Sequence, residues 1–188
     1  MHIDPTRLDD LRTDRIQLTG DPVTIARRQA VFPGAFNPLH DGHREMAAVA
    51  AKLLETTVDF ELSIQNVDKP EIPPGEVVRR AHQFADRQVL WMTRAATFAE
   101  KAAVFPQAVF VIGADTASRL ANLWYYDGDL AARDTALAKI RSHDCRFLVF
   151  GRLVKNVYQS LGDLGLPDDW RALCQGGSEE TFLSLIHI

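Results

Sequence analysis

The sequence predicts an α/β fold in which one parallel sheet carries helices on both faces. Three observations predict it. Short apolar runs alternate with helix-forming stretches from Gln29 to Gly151, which is the pattern of strands joined by right-handed crossovers. The run AVFVIGA at 108–114 holds six apolar residues and a glycine and is the strongest strand signal in the chain. The string HREMAAVAAKLLE at 43–55, dense in Ala, Leu, Glu and Lys, follows directly on Asp41-Gly42. The 188 residues suffice for one such domain.

The elements follow in order. Residues 1–28 are charged and weakly periodic, are broken at Asp4-Pro5 and Gly20-Asp21-Pro22, and read as a leader or linker. The domain then runs over 29–182. QAVFPGAF (29–36) reads as a short buried strand ending in a glycine turn. Asp41-Gly42 starts a helix with Met46, Val49, Ala50, Leu53 and Leu54 on one face. TVDFELSI (57–64) alternates apolar and polar and predicts a second strand. NVDKPEIPPGE (66–76) is a loop. VVRRAHQFADR (77–87) predicts a helix, QVLWM (88–92) a strand, and TFAEKAAVF (97–105) a helix. After the 108–114 strand, SRLANLW (118–124) and LAARDTALAKIRSH (130–143) are helical, and RFLVFGR (146–152) is a last strand.

Composition narrows the function. Hydrophobic content of 46% and charged content of 24% are ordinary for a globular domain. A net charge of −4 argues against wrapping nucleic acid, which needs a basic stripe. The two cysteines, Cys145 and Cys174, form no CxxC pair and fit a reducing, cytoplasmic setting. No secretory signal or membrane-length apolar stretch is visible, so no membrane partner is expected.

Three loops at strand carboxyl ends are chemically unusual: GAFNPLHDGH (34–43), NVDKP (66–70) and GADTASR (113–119). In a parallel sheet these ends share one edge, where ligands bind near the switch point. Gly34 lets backbone approach a ligand closely. The helix start at His40, Asp41 and Gly42 offers unpaired N–H groups to phosphate. His40 and His43, spaced i, i+3, project to one side of that first turn and can donate to phosphate oxygens. An ordinary turn with capping histidines is the plainer alternative for a lone HxGH. A zinc site fails on spacing, since helical ligand pairs sit at i, i+4, and no third ligand is close; no metal ligands are expected.

GAFNPLHDGH resembles the first signature, G-x-F-[DN]-P-x-H-x-G-H, of the HxGH (HIGH) nucleotidyltransferase superfamily, also called cytidylyltransferase-like. Within it the chain is most similar to the nicotinamide and nicotinate mononucleotide adenylyltransferases, through VFVIGADTASRLANLW (109–124) and LSIQNVDKP (62–70). The resemblance covers about Ala30 to Arg152. It implies a Rossmann-like fold and transfer of AMP from ATP to a pyridine mononucleotide, with pyrophosphate released and Mg²⁺ brought in by ATP. It implies ATP contacts from Gly34, Ala35, Phe36, His40, Gly42, His43, Gly113 and Asp115. Of these, His40 and His43 would be catalytic, and Gly113 and Asp115 would hold the ribose. On the acceptor side it implies Asn37, Lys69, Thr93 and Trp124, with Trp124 stacking on the ring. The partners are thus ATP and a mononucleotide, with a homo-oligomer possible.

Plainer roles remain open for several of these residues. Asp115 can cap the following helix. Lys69 can be a solvated loop lysine, and Trp124 and Tyr125 can be packing residues. Arg79 and Arg80 read as a solvated helix face, with one of them as a phosphate contact the alternative, Arg94 is a further substrate-loop candidate, and His82 and His143 read as surface residues. The family's second signature, close to I-S-S-T-x-x-R, is not found. The ending LSLIHI is unusual, so 183–188 is expected to be a non-native tail on a C-terminally truncated chain. Other readings are a phosphopantetheine adenylyltransferase, a cytidylyltransferase, or a nucleotide-binding accessory module without turnover.

Overall fold

The computed structural model describes residues 15–20, 29–67, 70–84, 88–154 and 157–177. Lys69, the 183–188 tail and most of the 1–28 leader lie outside the described residues. The strands are β1 (Arg15–Thr19), β2 (Ala30–Pro33), β3 (Val58–Ser63), β4 (Leu90–Thr93), β5 (Val109–Gly113), β6 (Arg146–Phe150), β7 (Arg152–Val154), β8 (Val157–Gln159) and β9 (Cys174–Gly176). The helices are α1 (Asp41–Leu54), α2 (Pro74–Ala81), α3 (Phe98–Val104), α4 (Ala114–Leu120), α5 (Leu130–Ser142) and α6 (Asp168–Arg171). The main sheet has the order β1-β4-β3-β2-β5-β6-β9, and β7 and β8 form a separate hairpin. Strands β2 to β6 and β9 are parallel, while β1 runs antiparallel beside β4. The order reverses between β2 and β5, which makes their carboxyl ends the switch point of a doubly wound, Rossmann-like sheet.

Both faces are covered. Phe32, Phe60, Leu62, Leu90, Met92, Val111 and Leu148 pack under α1 and α2. Val31, Trp91, Phe110, Ile112, Phe147 and Val149 pack under α3, α4 and α5. The alternation follows from the two-residue period of a strand.

The structure departs from the sequence reading in several places, and beyond the strand expected to be the last it adds β7, β8 and β9. Within the stretch read as a leader, Arg15–Thr19 forms edge strand β1; it is half-buried and lacks the apolar run that marks central strands. Helix α2 starts three residues early, at Pro74, because proline at the first helical position loses no needed N–H. Helix α4 starts at Ala114, directly off β5, and the stretch expected as one helix to Trp124 breaks at Asn122, whose side chain accepts from Trp124 N–H at 3.0 Å and opens a 3₁₀ turn (Leu123–Tyr126). Leu53 is 45% exposed; the buried stripe of α1 runs through Ala47 and Ala50 instead.

Candidate functional site

The loop after β2 is held from below by aromatic rings. Phe36 adopts a left-handed backbone (φ 46°), costly for a residue with a side chain. Its ring is 1% exposed and packs edge-to-face against Phe60 and Phe84, which holds it there. A Cβ on Gly34 would lie 2.7 Å from that ring, so the glycine is what lets Phe36 fold back beneath the loop. Gly34 N–H donates to Glu61 O at 2.9 Å, tying the loop to β3. Helix α2 and the turn that follows it hold it from the side. Arg80 donates to Ala35 O at 2.9 Å, Gln83 donates to Phe36 O at 2.9 Å, and Arg79 donates to Asn37 Oδ1 at 2.5 Å. Arg79 and Arg80 also grip Glu76, and their hydrogen bonds pull its carboxyl down to about 2. These two arginines are therefore loop anchors, a role no local pattern in the sequence signalled.

His40 is the N-cap of α1 and Asp41 opens its first turn. The rings of His40 and His43 stack with centroids 3.7 Å apart. A Cβ on Gly42 would meet the His40 ring at 3.2 Å, so Gly42 keeps room for it. His43 begins the buried stripe of α1 and touches Phe32 and Phe36. Burial first, and the neighbouring His40 second, lower its pKa to about 4, so it is neutral at pH 7. Its Nδ1 accepts from the His40 backbone N–H at 3.3 Å. A neutral imidazole has one donor and one acceptor nitrogen, which puts the proton on Nε2. The helix start thus carries a neutral donor that needs no proton taken up from solvent.

Beside this loop lies a cavity of about 610 Å³, a volume that suits a small-molecule ligand. Gly34 and Ala35 from the first loop, Asn66 and Val67 from the second, and Thr116 from the third all line it. Three segments far apart in sequence therefore meet at one edge, as parallel strands require. His40 and His43 do not line the cavity; they stack on each other at the start of α1 and His43 touches Phe32 and Phe36. Its floor is a buried ion pair. Lys101 Nζ lies 2.8 Å from both Glu61 oxygens and donates to Ala95 O at 2.8 Å, while the Thr93 hydroxyl donates to Glu61 Oε1 at 2.5 Å. Thr93 is fully buried and spends its hydroxyl on this network, so it supports the floor from below rather than facing the cavity.

The family now follows. The model of a family described as cytidylyltransferase-like matches residues 31–158, more than half of the chain. The chain belongs to the cytidylyltransferase-like family. Nucleotidyl transfer is the class of reaction that this membership supports. Comparison with curated proteins finds no match.

In a cytidylyltransferase-like domain the remaining candidates fall as follows. Gly113 is the N-cap of α4, with open space where a Cβ would stand. Asp115 does not cap that helix with its side chain; it pairs with Arg152 across the sheet edge, and both are about half exposed. Arg94 pairs with Glu71 at 2.9 Å. Trp124 is 69% exposed and lies off the cavity wall, and its neighbours Tyr125 and Tyr126 line it instead. The residues that sequence reasoning missed are Glu61, Lys101, Arg152 and Tyr126, while Arg80 and Tyr125 were read there in other roles. For Glu61 a signal was present: polar residues at every second position of a strand destined for a doubly covered sheet. No helix among the described residues is long and apolar enough to cross a membrane.

Proposed function

We propose that the chain transfers AMP from ATP to the phosphate of a pyridine mononucleotide and releases pyrophosphate. The observation that carries this reading is His43. It is a neutral imidazole with Nδ1 bound inward and Nε2–H left as donor, set in the first turn of a helix beside the switch point. Such a donor stabilises charge growing on phosphoryl oxygens in the transition state. His40, Gly42 and the start of α1 would share the phosphates. Gly113 and Asp115, beside β2 at the end of β5, would hold the ribose once Asp115 exchanges Arg152 for sugar hydroxyls. The acceptor would fill the cavity beyond Gly34 and Ala35, with Tyr125 beside its ring. Trp124 would join only if the 123–126 turn moves inward, and Lys69 and Asn37 would serve the acceptor phosphate. As the family resemblance implies, Mg²⁺ would arrive on ATP.

Pyrophosphate release tests this, with ATP or CTP as donor and either pyridine mononucleotide as acceptor. Turnover with ATP is expected, and His43→Ala should lower it by about 10²–10³. No release with either acceptor, or an undiminished variant, would sink the proposal. The family description favours one second reading, transfer from CTP, and a preference for CTP over ATP would establish it in place of the first.

A further inference from the structure

The cavity has a charged wall that the phosphate loop does not use. Its lining carries five charged side chains: Glu61, Glu100, Lys101, Arg119 and Lys139. Three are already committed. Glu61 and Lys101 close on each other at 2.8 Å. The Glu100 carboxylate accepts from the Thr97 N–H at 2.8 Å and its hydroxyl at 3.0 Å, capping α3. Arg119 and Lys139 are exposed, and neither side chain has a hydrogen-bond or ion-pair partner among the described residues.

Each of these cations sits in the last turn of its helix, where it complements the helix dipole. The dipole accounts for a cation on each helix. It does not account for both lining the same cavity. Thr116 and Arg119 stand i, i+3 on α4, Thr135 and Lys139 stand i, i+4 on α5, and all four line it. The Thr135 hydroxyl donates to Ala131 O at 2.7 Å, so on α5 Lys139 is the donor that remains for a ligand. The wall between α4 and α5 is therefore cationic inside a chain whose net charge is −4.

We infer that Arg119 and Lys139 hold a carboxylate of the acceptor, a second anionic group besides the phosphate that reacts. The inference rests on the acceptor occupying this cavity, as in the function proposed above. A guanidinium and an ammonium facing one carboxylate form charge-assisted bonds that an uncharged amide of the same shape does not. Of the two pyridine mononucleotides, the nicotinate form carries that carboxylate and the nicotinamide form carries the amide.

Calorimetric titration of each mononucleotide into the full chain tests the wall by binding alone, and turnover is assayed separately. The nicotinate form should bind at least about tenfold tighter, and the double variant Arg119→Gln, Lys139→Gln should bring its Kd to that of the nicotinamide form. Both positions are exposed, so the variant should keep the parent's thermal midpoint. Equal affinities, an advantage that survives in the double variant, or no binding of either probe would overturn the inference. If the nicotinate form binds through these residues and no pyrophosphate is released, the adenylyl reading fails and the anion wall stands.

Discussion

The two faces of the sheet are built from the same strands and do opposite things. On the α1–α2 face, β3 presents Phe60 and Leu62, and the layer around them is apolar, with the rings of Phe32, Phe36 and Phe84 packed edge-to-face beneath the loop after β2. On the α3–α5 face, the same strand presents Asp59, Glu61 and Ser63, which are 5%, 1% and 9% exposed. Asp59 accepts from Trp91 Nε1 at 2.9 Å and from Gln29 at 3.1 Å, while burial still pushes its carboxyl above the usual range. Glu61 is met by Lys101 and Thr93. The difference teaches how one fold divides its labour. A dry, apolar layer supports the loop for which we propose the transition-state donor. A satisfied polar layer floors the cavity, because buried polar groups persist only when each finds a partner.

The contrast can be broken most directly at the ion pair. Lys101→Met leaves the Glu61 carboxylate buried without its counter-charge and should cost about 3–5 kcal/mol in urea unfolding. The double variant Glu61→Gln, Lys101→Met should recover most of that loss. A single variant as stable as the parent would show that the polar layer is not closed in the way described. On the opposite face, Gly34→Ala drives a Cβ against the Phe36 ring, which neighbouring rings prevent from yielding. A loss of about 1–3 kcal/mol is expected, together with a fall in turnover, and an unchanged melting temperature would count against the aromatic layer as the loop's support.

The smallest effect concerns pH. The folded pKa of His43 lies near 4, below its ordinary 6.5. The unfolded chain therefore binds the proton first, and the contribution to stability is complete above pH 6.5 and lost as pH falls toward about 4. His43→Asn should flatten the fall in stability across that window relative to the parent. Because the ring is only half-buried, the difference should stay within about 1 kcal/mol. Parallel pH curves would mean that the imidazole is not held neutral by its burial.

Much of this was legible in the chain. The string GAFNPLHDGH marked its own strand-to-helix hinge, because glycine, proline and an N-terminal histidine act through local geometry. The strand and helix alternation from Gln29 to Gly151 reported the doubly covered sheet for the same reason. Strands β1 and β9 were not visible, since each is a short edge whose partner lies far away in sequence. Cysteine usage was legible only in part: Cys145 and Cys174 are both free, and burial raises the Cys174 thiol to about 11.

What the sequence by itself determined is the set of local decisions: where strands turn into helices, which loop carries two histidines, and that these loops share an edge. The tertiary structure alone decided which side of β3 would be closed over, that Thr93 would serve a buried pair, that Arg79 and Arg80 would reach back to the first loop, and that His43 would lose its charge. Those outcomes depend on burial and on partners 30 to 45 residues away. Local pattern carries periodicity and turn chemistry; the dielectric around a side chain is set by whatever the rest of the chain packs against it.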